Sequence, residues 1–115
     1  MDTKTAQRQL KIKTGALKRQ IKDYQSYAKE NILLQERLEK MKADEAEEGL
    51  IRRAEEAVAE TMQMLPITHS KINAAVEDVR NLLDENEANE ELKQTEDWQQ
   101  SNTTLNDALA FLETI

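Results

Sequence analysis

Between residues 4 and 42 the chain has no proline, and Leu10, Leu17, Tyr24, Asn31 and Leu38 recur at intervals of seven. Thr14, Ile21 and Ala28 make a second row four residues further on, and towards residue 42 the partner row passes to Tyr27, Leu34 and Met41. A strand, which alternates every two residues, would scatter this set over both faces; an α-helix gathers it into one stripe. The stripe is wide enough to bury against two neighbours, and Lys and Arg fill the opposite face.

The pattern breaks at Asp44-Glu45-Ala46-Glu47-Glu48-Gly49, where Asp44 and Glu47 have capping-box spacing and Gly49 disfavours a helix interior. It resumes with Ile51, Val58, Leu65, Ile72 and Val79, again seven apart, flanked by Met62, His69, Val76 and Leu83 and by Ala54, Ala75 and Leu82. Pro66 sits in the middle of this run. Because the same frame continues on both sides, the spacing predicts one kinked helix rather than two helices and a loop. Asp84-Glu85-Asn86-Glu87-Ala88-Asn89 makes a second turn, with Asn89 as N-cap and Glu90 and Glu91 at the positive end of the next helix. Trp98, Leu105 and Leu112 form one row of that helix, and Asn102 and Leu109 the other.

The reading is an all-α chain: a single domain over 1–115 with helices near 4–42, 50–84 and 89–113. At 1.5 Å per residue the first two would each be about 50 Å long. Two short connections imply an elongated antiparallel three-helix bundle, up-down-up, with coiled-coil-like packing. Ile12, Ile32 and Leu33 fall outside the main stripes and are available to a neighbour, so a monomer or a weak homodimer is expected.

Composition narrows the function. With no cysteine, neither a disulfide framework nor a thiolate metal site is available. The start lacks the apolar core of a secretory signal and no apolar run approaches a membrane span, so a cytoplasmic protein is expected. Aromatic residues are 3% of the chain, which argues against a compact globule with a deep pocket.

The net charge of −7 is unevenly spread. Residues 1–43 hold eleven Lys/Arg against five Asp/Glu, residues 44–83 four against nine, and residues 84–115 one against nine. A basic first helix beside two acidic ones gains complementary rims, each exposed pair adding about a few tenths of a kcal/mol.

Several patterns point to chemistry and fail in context. Lys13-Thr14-Gly15 and Ser26-Tyr27-Ala28-Lys29 match β-lactamase signatures, but in the wrong order, on a continuous helical pattern, in too short a chain. His69, the single histidine, lies on the apolar stripe, where a partly buried packing residue is the ordinary reading. Asn102-Thr103-Thr104 forms a glycosylation sequon that carries little weight without a secretory signal. No catalytic, cofactor or metal site emerges, and the chain is read as a binding protein, not an enzyme. Lys11, Lys13, Lys18, Arg19 and Lys22 give the first helix a basic face. Nucleic acid is a poor fit for it, since the chain as a whole is acidic and stacking aromatics are missing.

Taken in order, several strings resemble the tubulin-folding cofactor A (tubulin-specific chaperone A) family. They are Leu10 to Arg19 in the first helix, Tyr27-Ala28-Lys29-Glu30, and Leu38 to Ala43; then Met64-Leu65-Pro66, Ala74-Ala75 and Leu82-Leu83. The resemblance spans about residues 8–110, and it rests on joint order and the proline position, because each string alone is an ordinary helical one. The chain departs from the family pattern at Gly49 with its acidic neighbours, and at Trp98, where a tyrosine is usual. The resemblance implies a cytosolic, cytoskeleton-associated protein that captures quasi-native β-tubulin for heterodimer assembly and needs no nucleotide or metal. Charge, rather than any motif, makes Lys11, Lys13, Lys18, Arg19 and Lys22 the expected contact for acidic tubulin. A structural spacer of spectrin-repeat or coiled-coil type is the alternative.

Overall fold

The structure, a computed structural model, describes residues 2–115. It is all-helical among those residues: α1 (Thr3–Ala43), α2 (Glu48–Glu85), α3 (Glu90–Lys93) and α4 (Glu96–Leu112). There are four helices where the sequence predicts three. The expected third helix divides at Thr95, whose side chain accepts a hydrogen bond from the Trp98 N–H and donates one to the Leu92 carbonyl at 2.6 Å. Thr95 thereby closes the short α3 and caps α4, satisfying donors that a helix end would otherwise leave unpaired. Asn89 caps α3 as expected, with its Oδ1 3.0 Å from the Leu92 amide.

The start of α1 is held by Asp2, whose carboxylate accepts from the Thr5 amide at 2.7 Å. That bond holds the Asp2 carboxyl below its ordinary pKa. At the other end of α1 the chain reverses through Glu45, which has a positive φ of 54°. The Ala46 amide reaches back to the Met41 carbonyl and the Glu45 amide to the Lys42 carbonyl. These are the paired bonds of a Schellman turn, with glutamate where glycine is usual. Gly49, which the sequence placed in the turn, is instead in the first turn of α2 with no positive φ.

α2 runs without interruption through Pro66. Proline supplies no N–H to the carbonyl four residues earlier. Its ring is exposed, so this costs no packing, and two residues on the buried Thr68 hydroxyl donates to the Met64 carbonyl at 2.7 Å.

The helices sort into two compact units. The first comprises Met1–Ile21 and Ser70–Ile115. Leu10 and Leu17 of α1, Ile72 and Val79 of α2, and Leu92 of α3 are fully buried in it, and α4 adds Ser101, Thr104 and Ala108. Its contacts fix the helix directions. Thr3 meets Asn89 and Glu91, Gln7 meets Asp97, and Thr14 meets Ser101, so α1 and α4 run parallel there.

The second unit is Lys22–His69, a pairing of the latter part of α1 with the first part of α2. Asn31 hydrogen-bonds to Val58 and Thr61, while Met41 and Leu50 line a common groove nearer the turn, so the two helices are antiparallel. Among the described residues its buried positions are Asn31, Thr61 and Thr68, all polar. His69 is half-buried here, with its ring edge-on to Tyr24 at 6.4 Å.

Candidate interaction surface on the first helix

The first unit carries a furrow between α1 and α4. Its floor is a small polar layer. The Ser101 hydroxyl donates to the Asp97 carbonyl at 2.7 Å, so its single proton is committed, and the 2.8 Å contact with Thr14 must have Thr14 as donor. Both side chains are buried, and a hydrogen-bonded pair of small hydroxyls lets the two helices approach closely without an unsatisfied group. Beside this layer lies a cavity of about 260 Å³ lined by Lys11, Gly15, Lys18 and, from α4, Asp97 and Gln100. A Cβ added at Gly15 would meet nothing within 4 Å, so the glycine leaves open space rather than admitting a neighbouring backbone.

The five basic residues expected to make contact do not form one cluster. Lys11 and Lys18 are exposed and line the furrow. Lys22 is exposed one helical turn beyond Lys18 on α1, and Arg19 is exposed beside Lys18. Lys13 is different. Two residues from Lys11, it is rotated about 200° around the helix. It is half-buried, with its ammonium 3.8 Å from the Asp78 carboxylate of α2. Lys11, Lys18, Arg19 and Lys22 make no ion pair among the described residues.

The furrow also includes residues the sequence reading passed over. A second hollow, of about 310 Å³, is lined by Lys4, Gln7, Arg8, Lys11 and Asp97. Gln7 donates to the Asp97 carboxylate at 2.8 Å, occupying the acid that faces these cations. Lys4, Lys11 and Lys18 are themselves spaced by seven, so the repeat that revealed the apolar stripe also marks this basic line. Further along, Lys18 shares a hollow of about 460 Å³ with Glu96, Asp107 and polar residues of α4. The furrow thus has a basic wall from α1 and a mixed, partly acidic wall from α4. At the acidic chain end Lys93 pairs with two acids, 2.9 Å from Glu87 and 3.8 Å from Glu90, and its pKa is raised chiefly by the hydrogen bond to Glu87.

Residues 5–105 match the family described as Tubulin binding cofactor A. The chain belongs to that family. Tubulin-specific chaperone A of Rattus norvegicus is 35% identical over 98 residues, covering 85% of this chain and 88% of the rat protein. The Homo sapiens tubulin-specific chaperone A is likewise 35% identical over the same shares. Among solved structures, tubulin folding cofactor A from Arabidopsis thaliana superposes with a TM-score of 0.81 at 28% identity, covering 92% of this chain and 97% of the plant one. Human tubulin chaperone cofactor A gives 0.72 at 30% identity, over 90% and 98%. The cofactor A match takes in nearly all of α1, α2 and α3 and the greater part of α4, so the furrow residues other than Lys4 and Asp107 lie within it. No helix among the described residues is long and apolar enough to cross a membrane.

Proposed function

We propose that this protein is a cytoplasmic tubulin chaperone that binds quasi-native β-tubulin, keeps it from aggregating and releases it for heterodimer assembly, without chemistry of its own. The observation that carries the reading is the cofactor A family match over residues 5–105, together with relatives named tubulin-specific chaperone A that align over 85% of the chain. A protein that binds the intermediate but not its competitors shifts the population by mass action, and needs no bond-making group to do so.

The basic line of α1 gives the reading a mechanism. Lys18, Arg19 and Lys22 are exposed and make no ion pair among the described residues, so their ammonium and guanidinium groups are available to an acidic partner. Such charges act mainly on the association rate and are screened by salt, with a Debye length of about 8 Å at physiological ionic strength. Reversing Lys18, Arg19 and Lys22 to glutamate should slow β-tubulin capture about tenfold or more and flatten its salt dependence, with the helical circular dichroism unchanged. Stopped-flow capture measured at several salt concentrations checks this; an unaltered rate and slope would place the contact elsewhere. Recovery of β-tubulin on the immobilised protein from cytosol tests the function itself, and recovery of a cytoskeletal complex without tubulin would instead favour the spacer.

A further inference from the structure

The second unit carries an interaction surface of its own. Near the α1–α2 turn, Leu34, Met41, Leu50 and Ala57 line a groove of about 270 Å³ whose charged lining residues are Arg37 and Arg53. Leu50 is 49% exposed although it projects from the first turns of a helix with a well-paired neighbour. Both arginines are exposed and neither has an ion pair or hydrogen bond among the described residues, whereas the adjacent Arg52 sits 3.9 Å from Glu48. Elsewhere the unit is acidic: residues 22–69 hold seven Lys/Arg against eleven Asp/Glu. The groove is an apolar slot with a cationic rim on an anionic background.

We propose that this groove seats a large apolar side chain from an acidic segment of the captured protein, with Arg37 and Arg53 receiving carboxylates that flank it. The proposal rests on the chaperone reading above and names a second contact for it. Three features of the groove select that occupant. Its volume lies just below the range of about 300–1,000 Å³ usual for small-molecule pockets, and so suits one or two side chains. Methionine and leucine adapt to an irregular apolar guest. Arginine offers a planar fork that matches a carboxylate, and two of them bracketing an apolar floor read an acid–apolar–acid pattern. The unit's excess of acids disfavours such a segment over much of its remaining surface, which favours the rim. In a second copy of this chain the most acidic stretch, residues 84–91, is bordered by Leu82, Leu83 and Leu92, all buried, which leaves the exposed Ile32 and Leu33 between Glu30 and Glu36 as the competing occupant that sedimentation tests.

The test uses the full chain and two probes. The variants are Leu50→Gln and the pair Arg37→Glu with Arg53→Glu, all at exposed positions, so the circular dichroism should match wild type. Against purified quasi-native β-tubulin, both variants should weaken equilibrium binding about tenfold or more. If wild type binds and both variants bind equally well, the groove is overturned while the chaperone reading stands. If wild type itself does not bind, the chaperone reading fails, and the second probe still judges the groove. That probe is a synthetic peptide with one phenylalanine flanked by glutamates, titrated into ¹⁵N-labelled protein. Amide shifts confined to residues 34–57, absent in the variants, are expected. Shifts elsewhere, none at all, or a wild-type dimer in sedimentation that both variants abolish would overturn the proposal.

Discussion

Asn31 stands in a row with Leu10, Leu17, Tyr24 and Leu38, and it is 5% exposed. Its amide donates to the Val58 carbonyl at 3.0 Å and to the Thr61 hydroxyl at 2.7 Å, while Gln35 donates to its Oδ1. Thr61 keeps two acceptors in its own helix, Ala57 and Val58, so removing Asn31 strands no buried group. The net worth of such hydrogen bonds is about 1 kcal/mol, and a leucine would add apolar burial of similar size. We therefore expect Asn31→Leu to leave stability within about 1 kcal/mol of wild type, or above it, in urea unfolding. A loss of more than about 2 kcal/mol would contradict that account. What the asparagine contributes is register, since a slipped pairing would bury its amide without partners. The same scale explains the split among the basic residues. Periodicity places Lys11 and Lys18 on one line, but Lys13 shares their charge and not their direction, and a count of lysines does not reveal an Asp78 partner.

At the scale of the helices, Pro66 is the informative position. α2 continues through it, although proline offers no N–H to the Met62 carbonyl four residues earlier. Pro66→Ala restores a backbone donor at an exposed site and should raise the thermal midpoint, with a gain of up to about 3 kcal/mol. If β-tubulin binding falls as stability rises, the proline shapes the binding surface; an unchanged melting curve would mean that its helix penalty is already fully offset. Helices α1 and α2 were legible in the sequence because long seven-residue repeats are a strong signal. The division of the last helical segment was not. Glu90 to Leu112 is helical in composition throughout, and the break depends on the Thr95 hydroxyl turning to Leu92 and Trp98 rather than to solvent. The Schellman turn was hidden for a similar reason: Glu45 takes the left-handed conformation while Gly49, the residue built for it, does not. The furrow was legible only on its α1 side, since the facing residues of α4 follow from tertiary pairing and no local pattern marks them.

Across the whole molecule, apolar burial is uneven. The fully buried Leu10, Leu17, Ile72, Val79 and Leu92 all lie in one unit, while in the other Ile32, Leu33, Leu50, Met62 and Ile67 are each about half exposed. We propose that residues 1–115 nevertheless form one cooperative domain, because α1 and α2 each extend without a break into both units. In native-state hydrogen exchange, amides of residues 22–69 should open at lower free energy than those of 72–83 in water and merge with them as denaturant rises. Two sets that never merge would mean two domains. Retaining a thinly packed, partly apolar half fits a protein whose surface is completed by a client. The direct measurement of that claim is aggregation of quasi-native β-tubulin followed by light scattering, with the products resolved by size exclusion. A stoichiometric excess of this protein should suppress the scattering and co-elute with β-tubulin; β-tubulin that aggregates at its unassisted rate and elutes alone would contradict the account.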